Sequence, residues 1–207
     1  MLKSLLDAVM LRRSRRLVEL VRDWLPATGP MLDLGSGTGH FAALLEGELS
    51  FTVVPADVSD IHVTGRPPVP VSDGMLPFEA DTYTAALLLY MLAYPREPAS
   101  VLAEAARVTR GGGPVILVQS LYSGRLGYAW HRAREFMWTI VAFHVSRLVG
   151  YVPREATFSM RTRRFYTEAE LRRDVAAAGL RIRSRRDRAV LPGRALVVAA
   201  WKLERDD

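Results

Sequence analysis

The chain has 207 residues, enough for one domain with a sizeable core, and no cysteine, which excludes disulfides, cysteine-rich zinc sites and a thiol nucleophile. Its formal charge of +6 is uneven: residues 1–120 hold 10 basic and 13 acidic side chains (−3), and residues 121–207 hold 18 and 9 (+9). That asymmetry fits either an anionic partner for the second half or an arginine-rich solvated face.

Residues 1–25 read as an amphipathic helix, with Leu2, Leu5, Leu6, Val9, Leu17, Leu20, Val21 and Trp24 at helical spacing. Arg12, Arg13, Arg15 and Arg16 interrupt the stripe. The apolar run is short, contains Asp7 and has its basic residues on the wrong side for a signal peptide. A helix packed over a ligand pocket is expected, with a membrane-surface helix as the alternative. Pro26 to Pro30 break the helix.

Met31 to His40 (MLDLGSGTGH) organises the rest of the chain. An apolar strand carrying Asp33 runs into Gly35, Gly37 and Gly39, and a helix comes next with Phe41, Leu44 and Leu45 on one face. Strand, glycine turn, helix is the first half of a nucleotide-binding α/β unit. The third glycine comes one residue earlier than in a dinucleotide fingerprint, and an acid precedes the first. A carboxylate beside the turn suits a cationic ligand better than a pyrophosphate. The stretch D-L-G-S-G-T-G resembles motif I of the class I S-adenosylmethionine-dependent methyltransferases, of the small-molecule type. The resemblance implies a Rossmann-like, doubly wound α/β sheet of about seven strands, mostly parallel with an antiparallel last strand, and helices on both faces. It also implies S-adenosylmethionine as cofactor, bound near Asp33, Gly35, Gly37 and Gly39.

Phe51 to Ala56 reads as the second strand and ends in Asp57, where the resemblance places the cofactor's ribose; Val58 comes after it along the same rim. Gly65, Pro67, Pro68 and Pro70 forbid the helix that this family usually has next, so the pocket is expected to be more open there. In Val69 to Phe78 the resemblance assigns Asp73 to the adenine amino group and the backbone of Gly74 or Met75 to the ring. Tyr83 to Tyr90 is a continuous apolar run, suited to a strand buried on both faces, with Tyr90 at its cofactor end. The family's acid at the start of this strand and its histidine after it are both missing; Tyr94 comes nearest to the latter. Pro98 to Val108 reads as a helix whose Glu104, Arg107, Val108, Gly111 and Gly112 match the family's pattern before strand five, Val115 to Gln119.

Residues 121–165 fall outside the plain fold and are expected to form one or two helices inserted after strand five as an acceptor lid. Tyr94, Tyr122, Trp130, His131 and Trp138 are the candidate acceptor contacts. Thr167, with Glu170 three residues on, marks a helix start and Gly179 its end. Leu180 to Arg186 and Ala195 to Trp201 close the sheet as a hairpin, giving one domain over 1–207.

Methyl transfer asks the protein to orient an acceptor and exclude water, with a base where the nucleophile carries a proton. His131, His144, Tyr90, Tyr94 and Tyr122 are unranked candidates for that base, and the catalytic residue stays open. No compact metal-ligand cluster stands out. The missing cysteine opposes thiol-dependent ring methylation, and LYMLAY after strand four opposes the usual exocyclic-amine motif. The leading expectation is a methyltransferase for a small, apolar acceptor (lipid, quinone or polyketide-like). It is a cytoplasmic monomer or homodimer, with peripheral membrane contact as an extension. RNA methylation through the basic second half, and a non-catalytic cofactor-binding partner protein, are the alternatives.

Overall fold

The computed structural model describes residues 2–72, 75–137, 143–152 and 162–205. Asp73, Gly74 and Trp138 lie outside the described residues. Helix α1 spans Leu2–Val21 and runs into a short 3-10 turn at Arg22–Trp24. Strand β1 (Pro30–Leu34) leads through the glycine turn into α2 (His40–Leu49), then β2 (Thr52–Asp57) and the two-residue β3 (Val69–Pro70). Strand β4 (Ala85–Leu89), α3 (Pro98–Val108) and β5 (Val115–Tyr122) come next. After β5 come α4 (Gly124–Phe136), α5 (Phe143–Leu148) and α6 (Glu168–Ala177), then β6 (Leu180–Ala189) and β7 (Leu196–Arg205).

The strands form one seven-stranded sheet in the order β3-β2-β1-β4-β5-β7-β6. All pairings are parallel except those of β7, which runs antiparallel to β5 and to β6. The chain builds outward from β1 through β2, then crosses back to β4, so the order reverses between β1 and β4. A doubly wound sheet opens its ligand crevice at that point.

Alternating side chains of the central strands supply two cores, because both faces are covered. Met31, Ala85, Leu87, Ile116, Val118 and Ala200 pack under α1 and α2 against Leu17, Val21, Trp24, Phe41 and Leu45. Leu32, Leu88, Leu117, Ala199 and Trp201 pack on the other face against Leu102 and Ala105 of α3 and Leu171 and Val175 of α6. The capping box of α6 forms as the sequence indicates: the Glu170 N–H donates to Thr167 Oγ1 (3.3 Å) and the Thr167 N–H to Glu170 Oε2 (2.8 Å).

Three expectations are refined. The fourth strand is shorter than Tyr83–Tyr90: Tyr83 makes only an isolated bridge to Thr109, and Tyr90 leaves the sheet with φ of 60°. Strand β5 runs past Gln119 to Tyr122, because β7 pairs with it along its whole length. The Pro-rich crossover, expected to leave the pocket more open, packs against the glycine turn. Without a helix it folds back on the glycine turn, where Val63 N–H donates to Thr38 O (3.2 Å) and His62 reaches Ser36. Ile61 then packs with Val152 beyond α5, so the insertion is tied to this crossover.

Candidate functional site

The glycine turn is held from below by β2. The N–H groups of Gly35 and Ser36 both donate to the Ala56 carbonyl, at 2.7 and 3.2 Å. All three glycines have positive φ (75°, 58° and 82°), a region costly for residues with a Cβ. Their surroundings separate their roles. A Cβ at Gly35 would lie 2.6 Å from the Met91 Cβ, and one at Gly39 would strike His62 and Thr64, so both glycines serve close packing. A Cβ at Gly37 would meet nothing within 4 Å. Gly37 is where backbone stands open to a ligand.

Two buried carboxylates flank the turn. Asp57 is stitched into it: the Gly37 N–H donates to Oδ2 (2.8 Å) and the Ser59 N–H to Oδ1 (2.9 Å). A carboxylate has lone pairs left after two such bonds, so Asp57 retains capacity for hydroxyl donors. Burial raises its pKa, while the bonds from Gly37 and Ser59 oppose that rise. Asp33 is 1 % exposed, and its Oδ2 has no partner among the described residues. Burial, then the charge of Asp57, pushes its pKa up to about 7. An unpartnered buried carboxylate beside a second one is costly unless a cation joins them. The site thus fits a ligand with positive charge and vicinal hydroxyls, which are features of S-adenosylmethionine. Val58 is exposed on the rim.

The neighbouring loops order this turn. His62 donates from Nδ1 to the Arg66 carbonyl (2.8 Å), so its Nε2 accepts from the Ser36 hydroxyl (2.7 Å). At the start of α2, His40 joins Thr38, Asp7 of α1 and Tyr151: Thr38 Oγ1 to Nδ1 is 2.9 Å and Nε2 to Asp7 Oδ1 is 3.0 Å. The Tyr151 hydroxyl donates to the same Asp7 oxygen at 2.8 Å. On the far side, Glu104 of α3 accepts the Leu76 N–H (2.8 Å) while paired with Arg107 (2.7 Å), which fixes the loop just after Asp73 and Gly74. That is a physical role for the Glu104 and Arg107 pattern.

Beside the turn lies a cavity of about 500 Å³, within the size range of small-molecule sites. It is lined by α1 (Leu6, Arg13), by Tyr90 and Tyr94 past β4, by Gln119 and Ser120 of β5, and by His131 and Arg134 of α4. It meets the glycine turn at the Tyr90–Met91 step, since Met91 packs on Gly35. Tyr90 is a non-glycine residue held at positive φ, with its N–H bonded to Val118 O (2.8 Å) and its ring under the Arg13 guanidinium at 4.6 Å. Tyr94 donates to Glu135 at 2.8 Å.

Of the candidate acceptor contacts, Tyr94 and His131 line this cavity. Tyr122 stands behind His131, their ring centroids 6.4 Å apart, in a cluster with Tyr128 and Phe165. Trp130 is 54 % exposed and is no part of the lining, because one step along α4 rotates it about 100° from His131. His144 is also exposed and outside the lining. Burial, reinforced by the positive charge of Arg134, drops the His131 pKa to about 4, which leaves a neutral imidazole. Arg13, Gln119, Ser120 and Arg134 were not singled out in the sequence. Gln119 and Ser120 gave no signal, Arg13 gave one as a charge breaking an apolar stripe, and Arg134 gave one as an arginine among the aromatics of residues 121–165, where it could meet an acidic group on the acceptor or anionic lipid.

The fold and this turn define a class of protein. The chain belongs to the class I S-adenosylmethionine-dependent methyltransferase family: the family model described as a methyltransferase domain matches residues 7–185. An uncharacterized methyltransferase of Mycobacterium leprae is 31 % identical over 125 residues, covering 53 % of this chain and 46 % of the relative. The chain thus spans about half the length of the curated relatives it matches. Geranyl diphosphate methyltransferase, solved with S-adenosylmethionine, superimposes with a TM-score of 0.64 at 13 % identity over 94 % of this chain and 85 % of that one. A methyltransferase of the same cofactor class from Methanosarcina mazei gives a TM-score of 0.58 at 16 % identity, over 89 % of this chain and 97 % of that chain.

Proposed function

We propose that this protein transfers a methyl group from S-adenosylmethionine to a small, largely apolar acceptor bound in the cavity beside Tyr90, the chain acting as one domain. When bound, the cofactor supplies a methyl group already made electrophilic by its sulfonium. Gly37 presents open backbone to it, Asp57 accepts from its ribose hydroxyls, and Asp33 offsets its positive charge. The acceptor is oriented by Tyr94, His131, Gln119 and Ser120, while α1 and the 143–152 segment exclude water. The observation that carries this reading is the open backbone of Gly37 between two buried carboxylates, one loop away from an organic-sized cavity. One fold neighbour is by name a methyltransferase of geranyl diphosphate, an acceptor with an apolar body, which supports the acceptor class.

The RNA reading loses support from the arginine-rich second half. Many of its cations are already paired within the chain: Arg172 with Glu168, Arg183 with Glu204, Arg185 with Asp187, Arg186 with Asp23 and Arg205 with Asp81, all at 2.6–2.8 Å. Peripheral membrane contact is supported by one feature. Leu126, Trp130, Phe136 and Met137 are exposed on and just beyond α4, beside Arg125 and Arg132. Among the described residues no helix is long and apolar enough to cross a membrane.

Calorimetry tests the core of the proposal: S-adenosylmethionine and S-adenosylhomocysteine bind and NADH does not, and S-adenosylhomocysteine accumulates with apolar alcohols or acids as acceptors. Preference for NADH overturns the cofactor assignment. Tight cofactor binding with no turnover on a broad acceptor panel favours the non-catalytic partner protein instead.

A further inference from the structure

The cavity opens beside Met137 and Val145, which line it and are also 56 % and 37 % exposed. The surface around that mouth is apolar and basic. Leu126, Trp130 and Met137 fall within about 40° of one another around the axis of α4 and form one exposed stripe that ends at the mouth. Phe136, Arg125 and Arg132 are exposed beside it. The one carboxylate of α4, Glu135, lines the cavity instead. On α5, Val145 and Leu148 stand one turn apart and are both exposed.

Helix α1 repeats this character on the wall it contributes. Leu6 and Arg13 line the cavity, and the adjoining outer face carries Leu5, Val9, Arg12 and Arg16, all exposed and within about 60° of one another. Asp7 lies on the opposite side of the helix, bonded to His40 and Tyr151. Arg12, Arg16 and Arg125 form no ion pair among the described residues, and Arg132 leans only on the Tyr128 ring, at 5.9 Å. Arg183, Arg185, Arg186 and Arg205 of β6 and β7, by contrast, are held by carboxylates of this chain. Grouped apolar side chains in water are a cost, and unpaired cations among them select what covers the face. A second copy of the chain would set these arginines against their own counterparts in a two-fold contact, and like charges oppose it. An anionic lipid surface meets both the apolar side chains and the cations.

We propose that the mouth of the cavity is a docking face for an anionic lipid surface, and that the acceptor is an amphiphile of that surface which enters the cavity between α1 and α4. This rests on the reading of the cavity as the acceptor site and adds the route by which the acceptor arrives. An apolar body that passes straight from bilayer to cavity avoids exposing its methylenes to water on the way.

The test uses the whole chain and vesicles of phosphatidylcholine, with and without about one-third phosphatidylglycerol. The anionic vesicles should bind about tenfold or more tightly at low salt, with the advantage shrinking at high salt. Arg125→Gln combined with Arg132→Gln should weaken that binding about tenfold while leaving S-adenosylhomocysteine affinity within about twofold. The chain has no cysteine, so Val9→Cys, Leu126→Cys and Arg173→Cys each accept a single bimane label. Vesicles should shift the first two labels to an apolar environment and leave the third, on α6 across the sheet, unchanged. Transfer of dansyl-undecanoate between vesicle and protein should speed up with vesicle concentration, as collision requires, and slow about tenfold in Val9→Glu and Trp130→Glu. If either glutamate variant does not fold, the double arginine variant carries that arm. Equal binding to neutral and anionic vesicles overturns the docking face. So do labels at Val9 and Leu126 that respond to protein concentration but not to vesicles, which give the face to a second copy. A transfer rate independent of vesicle concentration, or no transfer, overturns uptake from the bilayer. Docking and transfer in a protein that never binds S-adenosylhomocysteine support the face and sink the methyl-transfer reading, so the two failures are separable.

Discussion

Asp33→Asn should make the ligand-free protein more stable at neutral pH and worse at binding its cofactor. Asp33 is 1 % exposed, and its pKa rises from 3.8 to about 7 through burial and the neighbouring Asp57. The folded state therefore holds this proton more tightly than the unfolded chain. Its contribution to stability is complete below about pH 4 and is lost as pH rises through about 7. At about 1.4 kcal/mol per pKa unit, roughly three units correspond to about 4 kcal/mol as a ceiling. Asparagine keeps the shape and removes the charge, but it buries an amide that costs about 1–3 kcal/mol if unpartnered. The net expectation is a gain of about 1–3 kcal/mol near pH 8 and none, or a small loss, near pH 5. The pH dependence of stability should flatten without vanishing, because burial also raises Asp57. Urea unfolding of ligand-free protein at the two pH values measures this. A variant less stable than wild type near pH 8, or one with an unchanged pH slope, refutes the argument. In parallel, S-adenosylmethionine should bind the wild type with proton release near pH 7, since its cation favours ionised Asp33. Calorimetry in buffers of different ionisation heat reads that release, and Asp33→Asn should remove it.

Gly37→Ala should cost about 1 kcal/mol of stability through its positive φ, yet sharply weaken cofactor binding, whereas Gly35→Ala should chiefly destabilise the fold, its Cβ being 2.6 Å from Met91. Thermal melts paired with calorimetry separate the two, and equal effects in both assays count against a ligand at Gly37. Asp57→Ala frees the Gly37 and Ser59 N–H groups as well as losing hydroxyl contacts, so cofactor affinity should fall by about 2–4 kcal/mol together with stability; unchanged affinity in a folded variant leaves Asp57 a turn residue only. Tyr151→Phe removes one bond to Asp7 and should raise the ligand-free hydrogen-exchange rate of residues 143–152; unaltered exchange there means that bond does not hold the segment. Trp130→Ala should leave stability within about 0.5 kcal/mol, because the side chain is half exposed, but weaken sedimentation with anionic liposomes; intact liposome binding removes the case for α4 as a membrane contact.

The sequence determined the elements and the first half of the site through local rules. Three glycines on alternate positions after an apolar strand can serve few turns, and Asp33 and Asp57 are placed by the strands that carry them. Continuous apolar runs at β4 and β5 required two covered faces, and Thr167 with Glu170 wrote the start of α6. Tertiary structure decided which glycine stands open, because the neighbours Met91, His62 and Thr64 are remote in sequence and alone separate Gly37 from Gly35 and Gly39. It decided the pKa of Asp33, which depends on burial and on a carboxylate 24 positions away in the chain. It turned His131 inward and Trp130 outward, a choice one helical step apart that apolar content alone would have made the other way. It brought Arg13 and Arg134 to one cavity from helices 100 residues and more apart in the chain. Periodicity records what each residue's own element needs. Two cations meeting across a cavity leave no periodic trace, so only the folded chain could show them.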